Sequence, residues 1–131
     1  MRPFTVAVAA LLALSAAAPA RAADTAAAPA PRQGLFLTVS ESGDTWVRGV
    51  LLRCEPRPVG RHPYAERACA EITAAAGNLD GLTRTARPCT KQHDPVTASA
   101  SGTHRGRAVN WVKVFPNRCE LEVATGSVFR F

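Results

Sequence analysis

The sequence predicts an α+β domain: a five-stranded antiparallel sheet with one main helix and one short helix on one face, held by two disulfides. Three observations support this prediction. Several short segments alternate apolar and polar residues with the period of two that is typical of a strand. One longer segment repeats apolar residues with the period of a helix. Four widely spaced cysteines follow an export signal, which favours disulfides.

The first two predicted strands form a hairpin. Leu35, Leu37 and Val39 share one face of the first strand, and this alternation puts Phe36 on the opposite face. Gly43 supplies the turn, because glycine takes positive φ without strain. The second predicted strand, residues 45–54, has on its apolar face Trp46, Val50, Leu52 and Cys54.

The main helix is predicted to begin at Pro63, since proline is tolerated in a first turn, and to end at Gly77. Residues 55–62 before it are predicted to be a loop, and residues 78–83 after it a single short helical turn. The apolar face of this helix contains Ala65, Ala68, Cys69, Ile72 and Ala76. The remaining strands are predicted at residues 96–102, 105–115 and 127–131.

The chain is predicted to have three parts. Residues 1–22 have the charged start, apolar middle and small-x-small ending of a secretory signal peptide, cleaved after Ala22 or Ala20. Residues 23–33, rich in alanine and proline, are expected to be a disordered arm. Residues 34–131 form one domain, which is expected to be extracellular and to have no membrane partner.

The four cysteines allow three pairings. We favour Cys54–Cys69 with Cys89–Cys119, because joining neighbours along the chain keeps both closed loops short, and the other two pairings remain open. In the chain-entropy description each bridge contributes ~3 to 4 kcal/mol. The sequence has no C-x-x-C pair, which argues against a metal site, and no cofactor is predicted.

An enzyme is not predicted. The sequence has no G-x-S-x-G elbow, no H-E-x-x-H motif and no phosphate-binding loop. His62 and His104 lie in turn-like contexts typical of solvated histidines, and His93 is the third histidine. If both disulfides form, no cysteine remains free to act as a nucleophile.

The basic charge suggests an alternative function. Removal of residues 1–22 leaves 14 basic and 10 acidic residues, a net charge of +4, with Trp46 and Trp111 near basic side chains. This combination could form a secreted polyanion-binding module. Because the basic residues are scattered and no run of them occurs, an ordinary sheet face is favoured and no nucleic-acid partner is predicted.

Lys91 lies in an irregular polar segment, residues 84–95. It comes two residues after Cys89, whose disulfide would fix one end of the segment, while Asp94 and Pro95 stiffen the other end. A long basic side chain is therefore expected to extend outward from a loop with little conformational freedom. Most lysines are ordinary surface residues, so this geometry alone does not assign a role.

The sequence also resembles the Streptomyces subtilisin inhibitor family from about Leu35 to Phe131. The four cysteines fall where that family has them. The segments that carry the resemblance are Leu37-Thr38-Val39, Gly60-x-His62-Pro63, Ala68-Cys69-Ala70, Asn78-Leu79-Asp80-x-Leu82-Thr83, Asp94-Pro95-Val96, Val114-Phe115-x-Asn117-x-Cys119-Glu120 and Ser127-Val128-Phe129-x-Phe131. The resemblance implies a five-stranded sheet with two helices, and the pairings Cys54–Cys69 and Cys89–Cys119.

The resemblance further implies a secreted serine protease inhibitor with a substrate-like reactive loop. Its reactive bond would be Lys91–Gln92, with Lys91 as the P1 residue, the residue that enters the specificity pocket of the protease. Lysine there implies trypsin-like targets, with weaker binding to subtilisin, whereas the type member of the family has an apolar P1 residue. The implied loop comprises Cys89, Thr90, Lys91, Gln92, His93 and Asp94.

Two further residues gain expected roles. Asn117, two residues before Cys119, is expected to donate hydrogen bonds to loop carbonyls, with an ordinary turn asparagine as the alternative. Since family members form homodimers through a sheet face, Phe36 is expected at a two-fold interface. Family members often have proline just before P1, and this sequence has Thr90 there.

Overall fold

A computed structural model of the chain describes residues 33–41, 43 and 46–131. The predicted signal peptide and residues 23–32 of the predicted arm lie outside the described residues. Gln33, the last residue of that arm, forms an isolated parallel bridge with Thr103. Chain pairing therefore begins one residue before the predicted boundary at Gly34. Within the described part of the chain, no helix has the length and apolar character needed to cross a membrane.

The predicted α+β architecture is confirmed. Five antiparallel strands form one sheet in the order β3-β2-β1-β4-β5. The strands are β1 Gly34–Glu41, β2 Val47–Arg53, β3 Val59–Gly60, β4 Val96–His104 and β5 Arg107–Phe115. The helices are α1 Ala65–Ala74, a 3₁₀ turn Leu79–Gly81 and α2 Arg118–Thr125.

The period of two along β1 determines which side of the sheet is buried. Leu35, Leu37 and Val39 are at most 1% exposed, whereas Phe36 between them is 48% exposed. The antiparallel register places Leu37 between Val50 of β2 and Ala100 of β4. Both helices pack into the same core: α1 contributes Ala68 and Ile72, and α2 contributes Leu121.

Two sequence assignments of strands were wrong. Strand β3, Val59–Gly60, lies inside the predicted loop 55–62 and pairs with Arg53 and Leu52 of β2. Residues 127–131 are not a strand: they follow α2 as turns, with Val128 and Phe129 both buried. Three consecutive residues, Ser127 to Phe129, are buried there, which a strand with one buried face does not allow.

The second α-helix, Arg118–Thr125, was not predicted from the residue pattern. Asn117 is its N-cap: the Asn117 Oδ1 accepts a hydrogen bond from the Glu120 N–H at 2.9 Å. An asparagine followed three residues later by glutamate is a recognisable helix start. The helix ends at Gly126, whose φ of 60° suits glycine, and the Glu71 carboxylate of α1 accepts the next N–H, that of Ser127, at 2.7 Å.

Element ends also differ from the sequence prediction by a few residues. Strand β5 begins at Arg107 rather than 105, because Arg105 and Gly106 form the β4–β5 turn with φ values of 50° and 75°. Helix α1 begins at Ala65, not Pro63, and ends at Ala74, since Ala76 and Gly77 both have positive φ.

The histidine at the end of β4 supports a prediction on acid stability. His104 is buried, and its Nε2 has no hydrogen-bond partner among residues 33–41, 43 and 46–131. Burial, with the nearby Arg105 guanidinium, lowers the pKa of His104 from its ordinary value of 6.5, against a smaller opposite effect of Glu55. On acidification the unfolded chain therefore binds a proton at His104 near pH 6.5, whereas the folded chain binds it only at lower pH.

Stability should consequently fall as the pH drops below 6.5 toward the lowered pKa of His104, and should be unaffected by this group above 6.5. Urea unfolding of the wild type and His104→Gln at about pH 7.5 and about pH 5.5 tests this. The wild type should lose more stability than the variant over that interval. Equal losses would show that His104 is not the responsible group.

Candidate functional site

The long connection between the 3₁₀ turn and β4 contains the candidate site. Residues 83–95 have no regular secondary structure, and the side chains from Thr90 to Asp94 are all exposed. Lys91 lies in the middle of this exposed stretch. We call residues 89–94 the Lys91 loop. Although irregular, the loop is attached to the folded domain at several points.

One attachment is covalent. The disulfide Cys89–Cys119 joins the residue two before Lys91 to the second residue of α2. The other disulfide, Cys54–Cys69, connects the end of β2 to α1 and lies in another part of the domain. The structure thus contains both favoured pairings, which together use all four cysteines of the sequence.

Asn117 provides the second attachment. Its Nδ2 donates to the Thr90 carbonyl at 3.2 Å and to the Gln92 carbonyl at 2.8 Å, while its Oδ1 caps α2. The residue is only 7% exposed, so these bonds are shielded from competing water. The two carbonyls flank Lys91, and one buried side chain therefore fixes the backbone on both sides of it.

The two ends of the connection are fixed by main-chain hydrogen bonds. The Asp94 N–H donates to the Pro116 carbonyl at 2.9 Å, just after β5. The Thr85 N–H donates to the Val123 carbonyl of α2 at 2.9 Å. Since backbone amides occur at every residue, no side-chain pattern in the sequence could have identified these contacts.

Ion pairs surround the same region. The Arg87 guanidinium lies 3.3 Å from the Glu122 carboxylate and 3.7 Å from the Cys119 Sγ. Arg84 pairs with Glu120 at 3.3 Å. These pairs are partly exposed, and such pairs contribute between about 0 and 1 kcal/mol each. The disulfide and Asn117 are therefore the main restraints on the loop.

His62 and His104 are buried, which corrects the expectation of solvated histidines, whereas the tryptophans pack as the favoured interpretation of an ordinary sheet face predicts. His62 is buried: its Nδ1 accepts from the Tyr64 N–H at 3.0 Å, so the Nε2 is the donor to the Val128 carbonyl at 2.9 Å. Trp111 stacks on Phe129 with ring centroids 5.5 Å apart. Trp46 and Trp111 are both half-buried against the core, so they do not form an exposed stacking platform.

The structure brings together most of the predicted site residues. Cys89, Thr90, Gln92, Asn117 and Cys119 are in direct contact around Lys91. Phe36 lies elsewhere, on the outward face of the sheet. Among the residues that the structure describes, no group of three or more histidine, cysteine, aspartate or glutamate side chains could hold a metal ion.

The fold and the loop together define a class of protein: a small disulfide-bonded domain that presents one exposed segment on a rigid support. Comparison with known sequences specifies the class further. The chain belongs to the subtilisin inhibitor-like family, whose sequence profile matches residues 31–117. This membership places it among protease inhibitors rather than enzymes.

Individual relatives agree with this assignment. Subtilisin inhibitor-like protein 12 of Streptomyces hygroscopicus is 39% identical over 109 residues, which cover 77% of this chain and 97% of the relative. The subtilisin inhibitor of Streptomyces albogriseolus is 37% identical over 123 residues, covering 90% and 85%. Streptomyces caespitosus sermetstatin, solved in complex with Bacillus licheniformis subtilisin, has a TM-score of 0.61 and 29% identity, covering 75% of this chain and 97% of that one.

Proposed function

We propose that the chain is a secreted serine protease inhibitor that presents Lys91 to trypsin-like enzymes, with Lys91–Gln92 as the reactive bond. The observation that carries the proposal is the environment of Lys91. Its side chain is exposed, while the carbonyls on both sides of it are held by the buried Asn117. The residue offered to a protease is thus free, and the backbone that must align with the enzyme is fixed.

The geometry suits substrate-like binding. Carbonyls two residues apart point the same way along an extended chain, and the one between them points the opposite way. The Thr90 and Gln92 carbonyls both accept from Asn117, so in an extended loop the Lys91 carbonyl between them is expected to face away from the domain. In an enzyme cleft that carbonyl would enter the oxyanion hole, and the lysine ammonium would reach the aspartate of a trypsin-like pocket.

Rigidity supplies the affinity. A flexible peptide loses conformational entropy when it is ordered in a cleft, whereas a loop already held in place loses little. The flanking backbone would pair with the enzyme as an added strand. The attachments at Thr85, Asp94 and Asn117 make the Lys91 loop such a pre-ordered segment.

The disulfide explains how an inhibitor could survive cleavage. A cut at Lys91–Gln92 would leave Cys89 in one piece and Cys119 in the other, so that this bridge would hold the two pieces together. Gln92, which would carry the new amine, would also stay in place because its carbonyl accepts a hydrogen bond from the Asn117 Nδ2. Religation would then compete with release, and the protease would remain blocked.

We also propose subtilisin-like proteases as targets. Sermetstatin, whose fold this chain shares, was solved in complex with subtilisin. Backbone pairing contributes to binding whatever the P1 residue is, so binding weaker than that to trypsin is expected. Titrating trypsin, chymotrypsin, subtilisin and a metalloprotease with the purified protein tests the whole proposal. Trypsin should be inhibited most strongly, and failure to inhibit both trypsin and subtilisin at micromolar protein would contradict it.

The double role of Asn117 supports a mutational test. Asn117→Asp keeps an oxygen to cap α2 but replaces the two N–H donors to Thr90 and Gln92 with a carboxylate that repels their carbonyls. We expect inhibition of trypsin to weaken by about 10- to 100-fold, the equivalent of ~1 to 3 kcal/mol for two lost hydrogen bonds. Inhibition constants and the rate of reactive-bond hydrolysis provide the measurement.

Asn78 provides the matched control. It caps the 3₁₀ turn in the same way, accepting from the Asp80 N–H at 3.1 Å, but lies outside the Lys91 loop. Asn78→Asp should leave inhibition unchanged. If the two variants weakened inhibition equally, the donors of Asn117 would have no special role in holding the loop.

Dimerisation through the outward sheet face is a separate proposal. Phe36 there is 48% exposed, and its register partner on β2, Leu51, is 45% exposed. The ring of Phe36 extends over Gly49, where an added Cβ would lie 2.8 Å from it. Other large apolar side chains exposed on the same face are Val47, Val112 and Val114. A second copy would remove this apolar surface from water.

Phe36→Glu should weaken that dimer by about 30-fold or more, because a central aromatic contact contributes ~2 kcal/mol or more to an interface. Sedimentation equilibrium measures the effect. Tyr64→Glu is the control, since Tyr64 is a similarly exposed aromatic residue, 44% exposed, that precedes α1 and is not on the sheet. A wild type that is monomeric at all accessible concentrations would contradict the proposal.

A further inference from the structure

Four arginines from distant parts of the sequence are linked through Glu122 and the Phe131 carbonyl beside the Lys91 loop, and a fifth, Arg84, pairs with Glu120 of the same helix. Arg118 and Arg48 both donate to the Phe131 carbonyl, at 3.1 Å and 3.4 Å. Arg118 also pairs with Glu122 at 3.5 Å. We call this cluster the arginine surface, and its five members are Arg48, Arg84, Arg87, Arg118 and Arg130.

Two carboxylates lie within this surface. Glu122 has three guanidiniums within 3.9 Å, and Glu120 pairs with Arg84. Counting side chains alone, five arginines against two glutamates leave three more positive than negative charges. The four arginines that pair with these glutamates remain open to solvent, from 38% exposed for Arg118 to 63% for Arg84, and Arg48 is also exposed. The surplus is therefore presented outward instead of being neutralised within the fold.

The surface lies close enough to the loop to act on a bound enzyme. Arg87 is the fourth residue before Lys91, so at most ~14 Å of extended chain separates their Cα atoms. Its guanidinium contacts the disulfide that fixes the loop. Charges interact over about 8 Å at physiological salt and about 30 Å at 0.01 M. An enzyme seated on Lys91 would therefore face the field of this surface.

We propose that the arginine surface selects serine proteases whose cleft is rimmed by acidic residues, by attracting them electrostatically before the loop docks. This inference rests on the proposed inhibitory function and adds a choice among enzymes that share a specificity pocket. Complementary charge acts mainly on the association rate, which it can raise by 10- to 1000-fold, with a strong dependence on salt. The dissociation rate depends on the close contacts of the loop.

Anionic and cationic trypsin provide the test, because both accept lysine in the same kind of pocket and differ in net charge. At about 0.01 M ionic strength the wild type should associate at least several-fold faster with anionic trypsin, and the difference should shrink by about 0.15 M. Arg84→Gln/Arg87→Gln should slow association with anionic trypsin by about threefold or more. Glu120→Gln, which enlarges the surplus, should accelerate it, an effect that loss of stability does not produce.

The matched control removes two positive charges at the other end of the molecule. Arg57→Gln/Arg107→Gln changes the loop before β3 and the first residue of β5. The Lys91 loop lies at the opposite end of β5, because its Asp94 N–H donates to the Pro116 carbonyl just after the last residue of that strand. Association should change less than half as much as in the first double variant. Equal slowing by both doubles, a loss confined to the dissociation rate, or equal association with both trypsins would overturn the proposal.

These outcomes are distinguishable from failure of the proposed function. If only the arginine surface proposal is wrong, both trypsins remain inhibited at equilibrium, with association rates that are insensitive to these variants. If the chain does not inhibit trypsin-like enzymes, neither trypsin is inhibited by the wild type at any salt concentration, and if another residue is presented, Lys91→Glu inhibits both trypsins as well as the wild type does. A polyanion-binding role would appear instead as salt-sensitive retention on heparin with no preference between the trypsins, which also overturns the proposal.

Discussion

Replacing Lys91 with glutamate should abolish inhibition of trypsin, with a loss of at least ~1000-fold. Desolvated partners of a buried ion pair lose ~3 to 5 kcal/mol when one is removed, and reversing the charge adds repulsion from the pocket aspartate. Lys91 is exposed and makes no ion pair with any residue that the structure describes, so its replacement should leave the fold intact. Inhibition constants for trypsin, with thermal unfolding as a check on folding, provide the measurement.

Two controls separate charge from position. Lys91→Arg retains the charge and should retain inhibition within about tenfold, because an arginine also fits a pocket that ends in a carboxylate. Arg57→Glu makes the same reversal on the exposed loop before β3 and should have little effect. Inhibition of subtilisin by Lys91→Glu should fall much less than inhibition of trypsin. Unchanged inhibition of trypsin by Lys91→Glu would show that Lys91 is not the P1 residue.

Removing the disulfide Cys89–Cys119 should turn a lasting inhibitor into a temporary one. The Cys89→Ser/Cys119→Ser variant loses about 4 kcal/mol in the chain-entropy description for a bridge that spans 30 residues. More importantly, a cut at Lys91–Gln92 would no longer leave the two pieces covalently joined. Trypsin should be inhibited at first and then recover activity as the cleaved variant dissociates. Residual activity over time and gels of the products provide the measurement.

The second disulfide is the matched control. Cys54–Cys69 spans 15 residues, so its removal costs ~3 kcal/mol, a similar amount. Both of its cysteines precede Lys91, and it does not join the two pieces that cleavage would produce. Cys54→Ser/Cys69→Ser should therefore still inhibit trypsin without recovery. Recovery at the same rate in both variants would show that general stability, and not the position of the bridge, keeps the cleaved loop in place.

The sheet was largely predictable from the sequence because one face of β1 and of β4 is buried in strict alternation, while β2 and β5 bury one residue each. The alternation of Leu35, Leu37 and Val39 in β1 was sufficient to assign that face. The two-residue strand β3 is too short to have a period, and Val128 with Phe129 belongs to a short buried run that the sequence alone does not distinguish from a buried strand. Asn117 and Glu120 signal the start of helix α2, but this capping pattern is not visible in the apolar periodicity on which the other elements were predicted.

The candidate site was predictable in a different way. The residue pattern indicated an exposed lysine beside a cysteine, and the choice of bond came from resemblance to a family. The contacts of Asn117 with the Thr90 and Gln92 carbonyls agree geometrically with the expected role. The arginine surface was missed, because its members are up to 82 positions apart in sequence and only folding brings them together.

The identity of the reactive bond tests the central claim most directly. Trypsin at catalytic amounts should convert the wild type slowly to a cleaved form, and mass spectrometry should identify Gln92 as the new N-terminal residue. The cleaved form should migrate as one chain until it is reduced, because Cys89–Cys119 joins its two pieces. A first cut at any other bond, or an intact chain that leaves trypsin fully active, would contradict the account.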